Sequence, residues 1–168
     1  AEDDAYLLAQ PPYRAANRPL TSISELRLVQ GYTPGVLEIL NPHVSALPGQ
    51  TAINVNTATP MVLQALHQDL TQSDVEILLT DRGEDGYTEP AGFLASDALA
   101  GLELDVELDV KSEWFSVLTD VNVGRGVARL ESRLNRTEDA LRVVARTRTR
   151  QRPQIIENSS DEPAEGRI

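Results

Sequence analysis

Cysteine is absent from the 168 residues. That excludes disulfides, thiol catalysis and Cys-based zinc sites, and it leaves the redox compartment open. Aromatics are scarce at 4%, so a core has to come from Leu, Val, Ile and Ala, which the 40% hydrophobic content can supply. There is no run of about 20 apolar residues, hence no membrane span, and no signal peptide. An initiating Met is missing, and the acidic opening Ala1-Glu2-Asp3-Asp4 reads as the interior of a longer protein. Basic charge is short as well, with 15 Lys and Arg against 26 Asp and Glu, a net of −11. Phosphate recognition needs a basic surface, so nucleic acid is disfavoured.

The charge is unevenly spread. Residues 1–112 carry 5 bases and 17 acids, whereas 113–168 carry 10 and 9. A step this abrupt marks a candidate domain boundary near Ser112. Before it, short helices alternate with Pro and Gly turns. Ser22 or Ser24 can cap a helix that Gly31 ends, and Thr33-Pro34 fits an N-cap followed by Pro at the first helical position. Thr57 is the expected cap of a helix over about 59–67, and Thr71 or Ser73 of one over about 73–80. A short helix is expected within 90–100. Leu26, Val29, Thr33, Leu37 and Leu40 recur as Leu63, Leu66, Thr71, Val75 and Leu78, a weak repeat of two helical hairpins at about 20–47 and 51–80. Two such hairpins could bury their apolar faces on each other.

After the step the period changes. Residues 115–123, 127–134 and 141–149 read as strands joined at Gly124-Arg125-Gly126 and at 135–139, which makes an antiparallel meander. Arg129, Arg133, Arg142, Arg146, Arg148 and Arg150 are expected largely on the polar faces. Such a sheet needs a cover on its apolar face, and 113–168 offers no long helix for it. The tail 153–168 is polar and Pro-rich, with the composition of a flexible segment.

Candidate sites are few. In Thr51-Ala-Ile-Asn-Val-Asn-Thr-Ala58, the amides of Asn54 and Asn56 can bridge turn and helix backbone, with Thr57 as cap, and so fix how the hairpins meet. The same string resembles the entry of helix-hairpin-helix modules that bind DNA backbone. The candidate hairpin, Leu66-His67-Gln68-Asp69-Leu70-Thr71, has no glycine and carries an acid, however. Glu2, Asp3 and Asp4 are clustered carboxylates of the kind Ca²⁺ takes, or simply a solvated helix start. Asp81, Asp85, Gly86 and Glu89 imitate part of a calcium loop, but Gly83 and Gly92 stand where ligands are needed. The run Glu103, Asp105, Glu107, Asp109 alternates with Leu and Val like an amphipathic edge segment. His43 and His67 are the only imidazoles. There is no nucleophile–base pair and no phosphate-binding glycine loop, so nothing marks an enzyme.

Four motifs in order resemble the K-type minor pseudopilins of bacterial type II secretion, the family of GspK and XcpX. They are Glu2-Asp-Asp-Ala-Tyr-Leu7, Pro11-Pro-Tyr-Arg-Ala-Ala-Asn-Arg-Pro-Leu20, Ser24-Glu-Leu-Arg-Leu-Val29 and Ile53-Asn-Val-Asn-Thr-Ala58. The β-rich end, 113–150, is similar to that family's closing pilin sheet. The resemblance implies an α+β fold: a pilin-like antiparallel sheet with a large inserted helical domain, and an N-terminal pilin helix that is absent from this chain. It implies a structural role at the tip of the periplasmic pseudopilus, supporting export of folded proteins across the outer membrane. The partners it implies are the I-type and J-type minor pseudopilins, then the rest of the pseudopilus, with secreted substrates as a further candidate. The implied location is the periplasmic face of a Gram-negative inner membrane, touched only through the missing helix. Calcium near the opening motif is implied too, which points to Glu2, Asp3 and Asp4. The expected organisation is a helical domain over 1–112, a sheet over 113–152 and a tail over 153–168. The alternative is a helix-hairpin-helix nucleic-acid-binding module.

Overall fold

A computed structural model describes residues 2–148, with the backbone alone for Glu2 and Asp3. The expected tail, 153–168, lies outside the described residues, as does Arg150. The chain divides into two compact units, 1–50 and 51–168. This division differs from the charge step near Ser112, which instead falls just before the sheet begins at Trp114. Among the described residues no helix is long and apolar enough to cross a membrane.

The first unit is short helices and turns. Helix α1 is Glu2–Leu7, and the ring of Tyr6, near its end, stacks on that of Tyr13 at 5.1 Å. Ile23–Leu28 forms a 3-10 helix opened by a Ser22–Glu25 capping box. In that box the Thr21 hydroxyl and amide, aided by Arg18, hold the Glu25 carboxyl below its ordinary value. Helix α2, Pro34–Leu40, has Thr33 as its cap and Pro34 in its first turn, and it buries Leu37.

The second unit contains the core. Strand β1 (Ile53–Asn54) pairs in parallel with β2 (Leu108–Asp109). Parallel pairing requires a long crossover, and the intervening chain supplies it by wrapping the core. Along that crossover lie α3 (Pro60–Gln64), α4 (Gln72–Arg82), α5 (Pro90–Leu94) and a 3-10 turn, Asp97–Leu99. Phe93, Leu63, Leu78 and Val55 are fully buried, with Leu66, Leu70, Val75 and Leu99 around them. Leu102, Leu104, Leu108 and Val110 pack against this cluster, so one side of the acidic alternation is apolar support and the other is solvated. The second hairpin thus closes on residues 93–110. The repeat does not extend to burial, since Leu63 and Leu66 are buried whereas Val29 is exposed.

The sheet is β3 (Trp114–Val123), β4 (Gly126–Arg136) and β5 (Leu141–Arg148), in that order and antiparallel. Val123 pairs with Gly126, so Gly124-Arg125 is a two-residue hairpin loop, and Gly124 takes φ +59, as such loops require. The register puts Phe115, Val117, Val121 and Val123 on one face with Ala128, Leu130 and Leu134. Leu141 and Val143 extend that face. The opposite face pairs Asp120 with Arg129 at 3.1 Å and carries a Ser116–Glu131 hydrogen bond at 3.1 Å.

One expectation about the arginines is corrected here. The register shifts between Arg133 and Leu134, which leaves Val144 as an extra residue. Arg129, Arg133 and Arg142 fall on the polar face. Arg146 and Arg148 pair with Ser132 and Leu130 and so fall on the apolar one, because one inserted residue inverts the alternation.

The apolar face stays open: Val123 is 75% exposed, Leu141 63% and Val121 47%. A three-stranded sheet without a packed face is not stable by itself. Isolated 113–148 should therefore show no cooperative thermal transition by circular dichroism. A sigmoidal melt would contradict this.

Candidate functional site

The string 51–58 builds one polar node. Asn54 ends β1, and its Oδ1 accepts the Asn56 backbone N–H at 2.9 Å, an Asx turn that reverses the chain. The Thr57 and Ala58 amides then donate to the Asn54 carbonyl at 3.2 and 2.9 Å. Val55, inside the turn, is buried in the core. The alternation of amide and apolar residues is thus a division between turn and core.

Asn56 then reaches across the unit. Its Oδ1 accepts the Tyr87 N–H at 2.7 Å, and its Nδ2 donates to the Tyr87 carbonyl at 2.9 Å and to the Val110 carbonyl at 3.4 Å. The carboxamide takes both backbone groups of Tyr87, as a neighbouring strand would. Asp lacks the donors for the two carbonyls. Gly86, at φ +70, lies so close that a Cβ there would sit 2.9 Å from the Asn56 carboxamide. Glycine is needed at this position for its conformation and for this close approach.

The surrounding groups fix Tyr87. Its hydroxyl donates to the Leu78 carbonyl at 3.1 Å, and its ring meets Phe93 edge-on at 5.5 Å. Burial and then the nearby Asp81 charge raise the phenol above its ordinary pKa, with Arg82 opposing. Arg82 Nη1 donates to the Ala58 carbonyl at 3.0 Å, and the Ser96 hydroxyl donates to Asp81 at 2.5 Å.

Two expectations need correction. Asn54 and Asn56 bind Ser112, Tyr87 and Val110, so the groups they tie together lie within 51–112 and beyond the second hairpin. Thr57 is an exposed turn residue, and the cap of α3 is Thr59, whose hydroxyl accepts from Val62 N–H at 3.4 Å. Pro60 at the first helical position decides between the two threonines, because helices favour Pro there. Gly86 and Tyr87 were missed as functional partners. Their signal was a turn glycine followed directly by an aromatic.

Between α3 and α4, the region matching the DNA-binding hairpin folds inward. Leu66 and Leu70 are buried. The Asp69 N–H donates to His67 Nδ1 at 3.2 Å instead of facing outward, and the Asp69 carboxylate lies 3.7 Å from the same nitrogen. Thr71 caps α4 reciprocally with Asp74, and its hydroxyl and amide hold the Asp74 carboxyl below its ordinary value.

For the acidic opening, Asp4 lies exposed on α1. Its carboxylate has the hard-oxygen chemistry calcium prefers, but an ion taking 6–8 oxygens needs more donors than Asp4 provides. Among the described residues no three His, Asp or Glu side chains gather to hold a metal. That holds for Asp81, Asp85 and Glu89 too.

Family models described as "Type II secretion system (T2SS), protein K" match residues 1–49 and 53–117. Type II secretion system protein K of Pseudomonas aeruginosa is 36% identical over 87% of this chain and 44% of its own length. The protein of that name from Pectobacterium carotovorum is 33% identical over 87% of this chain and 47% of its own. The chain spans about half the length of these relatives. Among solved structures, the crystal structure of the GspK–GspI–GspJ complex from enterotoxigenic Escherichia coli contains a similar chain. The TM-score is 0.76 at 31% identity, over 89% of this chain and 55% of that one.

The node generates a paired test. Asn56→Ala leaves the Tyr87 and Val110 groups short of partners, at a cost of roughly 1–3 kcal/mol. Gly86→Ala should cost at least about 1 kcal/mol from its positive φ alone. Because the added methyl meets the Asn56 side chain, the double variant should lose less than the sum of the two. Urea denaturation of all four proteins measures this; strict additivity would contradict the contact.

Proposed function

The chain belongs to the protein K family of type II secretion systems, and we propose that it is a structural subunit at the tip of the pseudopilus. In this reading it supports export of folded proteins across the outer membrane and catalyses nothing. The observation that carries it is the open apolar face of β3–β5. Phe115, Val117, Val121, Val123, Leu141 and Val143 form a contiguous surface, which marks an assembly site. An apolar N-terminal helix of the natural protein covers it, anchors the subunit at the periplasmic face of a Gram-negative inner membrane, and continues into the pseudopilus. The partners are the I- and J-type pseudopilins, a reading supported by the likeness to a chain of a GspK–GspI–GspJ complex.

The nucleic-acid alternative is disfavoured. The hairpin amide that would meet phosphate is turned to His67. Residues 51–112 carry 12 acids against 2 bases, which repels a polyanion.

The full-length protein, mixed with the I- and J-type pseudopilins of its own organism, should co-elute with them as one complex in size-exclusion chromatography. It should retain no duplex DNA on a filter at low salt. Separate elution of the three, or DNA retention, would contradict this function.

Calcium is the second part of the proposal. Glu2, Asp3 and Asp4 supply part of its shell, and residues outside this chain complete it. An ion bound only to the folded state stabilises it by mass action. The full-length protein should therefore melt at lower temperature in chelator, and Asp3→Ala with Asp4→Ala should abolish that difference. A melting temperature unmoved by chelator would contradict the calcium site.

A further inference from the structure

We propose that Ser112 and Arg136 form a clasp that fixes the angle between the helical body, 51–112, and the three-stranded sheet. The chain passes from one to the other through 110–113, a segment with no helix or ladder of its own to hold it straight. At Ser112 the two bodies meet on one residue. Its hydroxyl accepts from Asn54 Nδ2 at 2.8 Å, and its carbonyl accepts from Arg136 Nη2 at 2.8 Å. Asn54 is the last residue of β1, and Arg136 the last of β4. The neighbouring Glu113 carbonyl takes the Arg136 backbone N–H at 2.7 Å. Body and sheet thus each give a hydrogen bond to the same junction residue.

The Arg136 guanidinium has a second contact. It lies 5.0 Å from the centroid of the Phe115 ring, within cation–π range. Phe115 belongs to the apolar face, and Arg136 stands at its edge, opposite Leu141. Whatever covers that face removes water from around Phe115 and Arg136. Both the cation–π contact and the bond to Ser112 strengthen when water is excluded. Covering the sheet, as the N-terminal helix of the full-length protein does in the reading above, therefore stiffens the body against it. Arg136 acts here as a positioning residue, and its conservative replacement by Lys keeps a donor but loses the planar fork.

Pulsed electron–electron spin distances test the clasp in the full-length protein. This chain holds no cysteine, so labels at Ala100→Cys in the body and Asn122→Cys on the sheet introduce the only thiols in this region. The parent should give a single narrow distance. Ser112→Ala, which leaves the sheet ladder untouched, and Arg136→Ala should each lose that single distance and give a broad distribution. Arg136→Lys should restore it in part. Circular dichroism melts establish that each variant is folded; if Arg136→Ala is not, Ser112→Ala decides. A distribution as narrow as the parent's in either folded variant would overturn the proposal.

Discussion

A single side-chain carboxamide, that of Asn56, holds together what the backbone of the helical body leaves apart. The only ladder there joins β1 and β2 over two residues, too few to organise a body of six short helical and extended pieces. Asn56 extends that ladder sideways. It pairs with both backbone groups of Tyr87 and with the Val110 carbonyl, so the turn after α4, the turn that leaves β1 and the exit of β2 share one residue. The apolar core then closes beneath it, because Tyr87 is held where its ring meets Phe93. With aromatics so scarce, this one edge-on pair is a large share of the aromatic packing the chain can offer.

The two halves of the second unit solve the same problem in opposite ways. The body buries Val55, Leu63, Leu78 and Phe93 completely within its own 60 or so residues, and its acids point to water. The sheet keeps its strands paired through regular ladders and its polar face through Asp120–Arg129, yet Val121, Val123, Leu141 and Val143 on its apolar face are exposed. The body is thus the self-sufficient part of a larger subunit and the sheet the dependent part. The basic balance of 113–168 follows from the same division. Arginine stems can lie along apolar surface while their heads stay solvated, which suits a sheet edge better than a closed core.

What could be seen in the sequence was local. Thr33-Pro34 and Thr71 announce caps through side-chain chemistry a few residues long, and Gly124-Arg125-Gly126 announces a turn, so helices and meander were legible, while the pairing of Gly126 with Val123 came from the structure. The family motifs were legible as well, being contiguous strings. The partners of Asn56 were not, because they lie 31 and 54 residues away and no periodicity encodes them. Arg146 and Arg148 changed faces because a bulge at Val144 leaves no compositional trace. Thr57 and Thr59 are equal as capping residues until Pro60 is placed at the helix start. The division at Gln50 carries no charge step, whereas the step near Ser112 marks the start of a sheet within one compact unit.

The dependence of the body on Asn56 is read most directly by native-state hydrogen exchange at the Tyr87 amide. That N–H donates to a side chain, not to a helix or ladder, and would exchange by local fraying if the carboxamide were incidental. The account predicts that in the full-length protein it exchanges only with the global opening that also releases the Leu63 and Leu78 amides. Fast exchange at Tyr87 while those core amides stay protected would contradict it.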